Sequence, residues 1–182
     1  MNLLSVEGIS KSYGEKVIFE SLSFGVNQGQ KIALIAKNGC GKSSILNIIA
    51  GEDVPDKGKV VFRKGIKVAY LAQEPILDPK LTVEESILQA DNPILSIISN
   101  YNEALKNPND QDTYQKAFEA MDQFQAWDFE TQYKKILFKL KLNNINAKVG
   151  SLSGGQKKRI ALCNVLLKQP ELLILDEPTN HI

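Results

Sequence analysis

The sequence predicts an α/β fold: a parallel-sheet core, an antiparallel β subdomain near the N-terminus and an α-helical insert. Three observations carry this. Ile32, Ala33, Leu34 and Ile35 form an unbroken apolar run that enters a glycine-containing loop and then an amphipathic helix ending at Gly51. A second unbroken run, Leu172, Leu173, Ile174 and Leu175, ends in Asp176 and Glu177. Continuous apolar runs of this length suit strands buried on both faces, whereas residues 74–150 show the spacing of amphipathic helices.

The chain has 182 residues, of which 43% are hydrophobic, enough to bury a core as one domain or as a domain with an insert. A formal net charge of +1 argues against strong non-specific attraction to nucleic acid or membrane, while leaving room for a local basic surface. The first nine residues lack a basic segment followed by an apolar one, and no apolar stretch approaches the roughly 18 residues needed to span a bilayer. A soluble, cytoplasmic protein is expected. Cys40 lies in the glycine-containing loop and Cys163 in an apolar helical stretch, an arrangement that suits free thiols in a reducing compartment.

In chain order, residues 3–26 read as antiparallel strands, most clearly where Leu22, Phe24 and Val26 alternate with Ser21, Ser23 and Gly25. Tyr13 lies in the turn between two of them. The apolar run at 32–35 is expected to form a buried parallel strand. The loop after it is Ala36, Lys37, Asn38, Gly39, Cys40, Gly41, Lys42, Ser43 and Ser44. Small residues there let backbone N–H groups converge on phosphate oxygens, and a helix starting near Lys42 adds its positive end. Lys42 supplies a full charge, and the Ser43 hydroxyl is a hard oxygen ligand suited to Mg²⁺. The stretch resembles the P-loop pattern G-x-x-x-x-G-K-[ST], with Ala36 in the first glycine position.

Residues 58–62 and 66–72 read as further strands. Helix starts follow at Thr82 with Glu85, a capping box, and at Asn92 with Pro93. Tyr114, Ala117, Phe118 and Met121 fall on one helical face, and a further amphipathic stretch carries Ile136, Leu137, Leu140 and Leu142. Trp127 and Phe129 are expected in a core. At 152–156 the sequence is LSGGQ, which arises by chance at about one position in a million. Ser153 is a good N-cap there, and Gly154 and Gly155 leave backbone N–H groups bare at a positive helix end, a second anion site. Lys157, Lys158 and Arg159 follow. Asp176 ends the last apolar run, where open α/β sheets place ligands; it can complete an Mg²⁺ shell, and Glu177 beside it can orient and deprotonate water.

GCGKSS, Gln73 at the head of the helical insert, LSGGQ and LLILDEP come in the order and spacing of ATP-binding cassette (ABC) ATPases, P-loop NTPases that this chain resembles over its whole length. The resemblance implies ATP and Mg²⁺ as cofactors. It further implies that Tyr13 stacks on adenine and that Gln73 senses the metal and the attacking water. Ser153, Gly154, Gly155 and Gln156 would contact the γ-phosphate held by another cassette. YLAQEP at 70–75, AWDFE at 126–130 and DEPTNH at 176–181 look like the first cassette of an ABC-F protein. Such proteins carry two cassettes in one chain, lack membrane domains and mostly act on ribosomes. The alternative is the nucleotide-binding subunit of an ABC transporter. On this reading residues 1–73 and 151–182 are an ATP-binding core, residues 74–150 a helical subdomain, and the chain a fragment whose hydrolysis needs the second cassette. His181 reads as a packing residue beside the acidic pair, not as the family's switch histidine.

Overall fold

The computed structural model describes residues 1–37, 39–89, 92–107 and 109–178. They form two compact units, Met1–Gln73 with Gln169–Pro178, and Glu74–Lys168.

The first unit opens on two long strands, β1 (Asn2–Tyr13) and β2 (Lys16–Asn27), and β1 also pairs with β3 (Lys57–Phe62), giving an antiparallel sheet of order β2-β1-β3. Leu4 and Val6 point inward by strict alternation, which would next bring Gly8 to the core. A register shift between Val6 and Ile9 resets the phase, so Ile9 is completely buried instead. Helix α1 (Lys42–Ala50) buries Ile48 and Ile49, and Gly51 closes it in a left-handed conformation with its N–H on the Asn47 and Ile48 carbonyls. Strands β4 (Val68–Leu71) and β5 (Leu172–Leu175) pair in parallel, Tyr70 beside Ile174. Leu4, Val6, Ile9, Val26, Ile48, Ile49, Leu172 and Ile174 form one core.

The expected strand at residues 32–35 is not formed. Those residues carry no strand assignment, Ile32 is 44% exposed and Ile35 is 93% exposed. The reason is physical: an apolar run becomes a strand only when neighbouring strands take up its backbone groups and other elements cover its faces, and strand preference is mostly a measure of that context. The described ladder beside β5 is made by β4 alone.

The second unit is helical, and its caps account for its boundaries. Thr82 and Glu85 form the reciprocal capping box of α2 (Val83–Leu88). Asn92 accepts from the Ile94 N–H at 3.0 Å, with Pro93 in the first turn, at the start of α3 (Pro93–Lys106); its Nδ2 donates to the Leu167 carbonyl at 2.7 Å. Asp110 caps α4 (Gln111–Gln123) by accepting from the Thr113 N–H at 3.1 Å. Helix α5 (Ala126–Lys139) and helix α6 (Gly154–Leu167) complete the unit, with a short 3₁₀ turn at Val149–Ser151 before α6. Its core includes Ile87, Leu95, Ile98, Met121, Phe129, Leu137, Ile160 and Leu167. Trp127 packs against that core, edge-on to Tyr101 with centroids 5.0 Å apart. Residues 151–168, assigned to the ATP-binding core in the expected division, cluster by contact with the helices. Among the described residues no helix is long and apolar enough to cross a membrane.

Candidate phosphate-binding site

The site is built where the loop of residues 36–43 meets α1. Gly41 is the N-cap residue, at φ 92°, and no side chain caps the helix. Glycine is required twice over. Residues with a Cβ avoid this backbone region, and a β-carbon here would drive into Ile18 Cγ2, with Phe19 Cδ1 3.6 Å away. Ala36, by contrast, is not among the residues with positive φ, so its methyl group introduces no backbone strain.

The Lys42 ammonium turns back over the loop and donates to the carbonyls of Ala36 at 2.9 Å and Lys37 at 3.2 Å. The Cys40 thiol also points at the Lys37 carbonyl, 2.7 Å away. The loop is thus folded around its own cation. Gly39 is left-handed at φ 78°, Ser43 and Ser44 are half-buried, and Asn38 lies outside the described residues.

At the end of β5, Asp176 is 3% exposed, and its N–H extends the ladder to the Leu71 carbonyl at 2.9 Å. Tyr70 lies within the field of this carboxylate: burial first, and then the charges of Asp176 and Glu52, push its hydroxyl up to about 12, and it donates to Asn47 Oδ1 at 2.6 Å. Glu177 sits at φ 45°, which turns the chain off the strand axis, and its Oε2 accepts from Gln73 Nε2 at 3.2 Å. These two residues are 104 positions apart in sequence.

Tyr13 ends β1 with its ring half-exposed, its hydroxyl donating to Asp53 Oδ2 at 2.8 Å. Lys11 donates to Asp53 Oδ1 and to the Val54 carbonyl, both at 2.7 Å, and its ammonium lies 5.2 Å from the Tyr13 ring centroid. The Lys11 hydrogen bond, followed by that from Tyr13, holds the Asp53 carboxyl below the usual range, and bonding to Asp53 holds Lys11 above its own. Asp56 Oδ2 accepts from the Ser12 N–H at 2.7 Å. Nothing in the sequence singles out Lys11, Asp53, Asp56, Asn47 and Ile18, because no local pattern joins positions 23 to 44 residues apart.

In the helical unit, Ser153 and Gln156 form a reciprocal box at the start of α6. Ser153 Oγ accepts from the Gln156 N–H at 3.3 Å, and Gln156 Oε1 accepts from the Ser153 N–H at 2.9 Å. Ser153 is thus the N-cap expected of it. Thr179, Asn180 and His181 lie outside the described residues.

These residues fit a nucleotide with its divalent cation. An uncapped helix start, a glycine where a β-carbon has no room, the Lys42 ammonium and the hard-oxygen donors Ser43 and Asp176 are the donor set that a magnesium-bound polyphosphate takes. The fold, with its antiparallel sheet, parallel pair and helical unit, is that of an ATP-binding cassette P-loop NTPase. A family model described as ABC transporter matches residues 19–180, and the chain belongs to that family. The uncharacterized ABC transporter ATP-binding protein YfmR of Bacillus subtilis is 37% identical, the alignment covering 100% of this chain and 30% of the relative. The energy-dependent translational throttle protein EttA of Escherichia coli K12 is 38% identical over 91% of this chain and 31% of its own length. Its Mycobacterium tuberculosis namesake is 33% identical over 99% and 33%. The chain thus spans about a third of the length of these relatives. Among solved structures, a nucleotide-free ATP-binding cassette from an ABC transporter matches at TM-score 0.62 and 27% identity, covering 98% of this chain and 70% of that one. An ATP-binding subunit of an ABC transporter matches at TM-score 0.66 and 23% identity, over 98% and 68%, a likeness of fold.

Proposed function

We propose that the chain is a cassette that binds ATP with Mg²⁺, and that the whole protein hydrolyses ATP to drive a conformational cycle. The observation that carries this is the Lys42 ammonium folded over the loop at the uncapped start of α1. The backbone N–H groups of Gly39, Cys40, Gly41 and Lys42 would cradle the β- and γ-phosphates, and Lys42 would exchange its two carbonyl acceptors for phosphate oxygens. Ser43 and Asp176 would hold Mg²⁺, which on binding neutralises charge on the phosphates. Glu177 would accept a proton from the attacking water, and Gln73, already donating to that carboxylate, would fix its orientation. Tyr13 would stack on the base. Ser153 to Gln156 would serve the nucleotide of a second cassette, so the fragment alone would turn over little ATP. Lys42→Ala should abolish Mg-ATP binding in a calorimetric titration; unchanged affinity would refute the assignment.

Two partners fit this engine. The ribosome reading, with the protein an ABC-F type translation factor, draws on the EttA relatives, named as translational throttles, and on the DEPTNH sequence. The transporter reading, with membrane subunits as partner, has the broader support: the family model, the Bacillus relative and the matching solved structures are all described in terms of ABC transporters. Glu177→Gln in the full-length protein, combined with the same change in a second cassette, should trap the closed state. Co-sedimentation with ribosomal particles, dependent on ATP and on Lys42, would select the first reading, and recovery with membranes the second.

A further inference from the structure

Between Thr131 and Pro170 the chain carries nine lysines and arginines and not one aspartate or glutamate. At the chain's average of 21 acidic residues in 182, forty residues would hold about four or five. Five of the nine cations are lysines that precede α6, and α5 with the residue pair after it displays four of them around one aromatic ring. Thr131, Lys134, Lys135, Phe138 and Lys139 line a shallow concavity on α5, and Lys141 follows it, exposed. Their spacing of i, i+3, i+4, i+7 and i+8 makes one helical face. The opposite face, Phe129, Tyr133 and Leu137, is already buried in the core.

Phe138 is 79% exposed. An aromatic ring of this size ordinarily buries most of its area, and a purely solvated basic face has no use for one. A ring among cations has a complementary ligand: a polymer with a negative charge and a flat π-face at every repeat. We propose that the α5 face of Phe138, Lys134, Lys135 and Lys139 is a docking surface for single-stranded nucleic acid, the lysines taking phosphates and the Phe138 ring taking a base. A bilayer surface is a poorer match, because a helix lying in a membrane interface buries an apolar face, and that face of α5 is spent on the core. A duplex offers no accessible base face to stack on. Lys134 also pairs with Glu130 at 2.7 Å, so Lys135 and Lys139 are the cations on which the test rests. The proposal does not depend on whether the cassette's partner is a ribosome or a membrane subunit.

The test uses the full-length protein without nucleotide, titrated into fluorescein-labelled 12-nucleotide oligouridine RNA and oligothymidine DNA at low salt, read by anisotropy. Phe138→Ala should weaken binding about 5- to 150-fold, the range of one lost base stack. Lys135→Gln with Lys139→Gln should lower the slope of log affinity against log salt by about 1.4. Phe138→Trp should retain binding and add an indole fluorescence that the oligonucleotide quenches. Far-UV circular dichroism and Mg-ATP affinity should be unchanged in all three, since none of these side chains is in either core or in the phosphate loop. Absence of oligonucleotide binding by the unmodified protein, or equal binding by Phe138→Ala, would overturn the proposal. So would loss of binding to phosphatidylserine vesicles in Phe138→Ala with oligonucleotide binding intact.

Discussion

Replacing Gly41 with alanine separates two demands that the phosphate loop makes of one residue. At φ 92° an L-residue is strained, by roughly 1–2 kcal/mol for a left-handed conformation. The added β-carbon also collides with Ile18 Cγ2, and relieving such overpacking ordinarily costs about 1–3 kcal/mol. The loop is exposed on its other side, so it will yield before the core does, and the cost will fall on ATP affinity more than on folding. The combined loss is about 2–5 kcal/mol, at least about thirtyfold in the dissociation constant. Gly41→Ala with Ile18→Ala removes the collision but not the backbone strain, so it should recover roughly 5- to 150-fold over the single variant while staying about 5- to 30-fold weaker than the unmodified protein. Calorimetric titration of Mg-ATP into the full-length proteins reads both differences, and thermal unfolding checks that each variant is folded. Wild-type affinity in Gly41→Ala would refute the claim that the loop keeps this conformation when nucleotide binds. Failure of Ile18→Ala to improve the double variant would refute the steric half.

The same titration should show that Ala36→Gly tightens ATP by less than about tenfold, because Ala36 is not held at positive φ and glycine there relieves nothing. Tyr13→Ala should weaken ATP without abolishing binding, by about 1–3 kcal/mol, and a complete loss would mean that the ring does more than stack. Thr82→Ala should lower stability by about 0.5–2 kcal/mol in chemical denaturation, since it removes the hydroxyl that accepts the Glu85 N–H in the capping box, and an unchanged midpoint would show the box to be ornamental. Burial pushes the Cys163 thiol up to about 12, so at pH 8 it stays protonated as well as covered, whereas Cys40 is exposed. Ellman's reagent should therefore titrate one thiol per native chain quickly and the second only after unfolding; two fast thiols would contradict the packing of α6.

What could be read from the sequence was what is determined locally. Thr82 with Glu85, Asn92 with Pro93, and Ser153 are caps whose partners lie within three residues, and each begins a helix as expected. Gly51 closes α1 for the same reason. The run at 172–175 is a strand because β4 lies beside it, while the similar run at 32–35 has no such ladder among the described residues, and nothing inside either run separates the two cases. The site divides along the same line. Lys42 and Ser43 could be assigned because loop and helix are contiguous. The bond from Gln73 to Glu177 and the network of Lys11, Tyr13 and Asp53 join distant positions, and only the fold brings them together.

That network has a consequence for how a base would be received. An exposed tyrosine ordinarily samples several rotamers, and stopping that motion on contact subtracts about 0.5–1.5 kcal/mol from any ligand that needs the ring in one pose. Here the hydroxyl is tethered to Asp53, and Asp53 is itself anchored by Lys11 and the Val54 N–H. The entropy of fixing Tyr13 is therefore lost when the protein folds, and a base that stacked on the ring would not lose it again. With the Lys11 ammonium beside one face of the ring, a stacking purine would have a single side from which to approach. The platform behaves as a fixed shelf, open on one side.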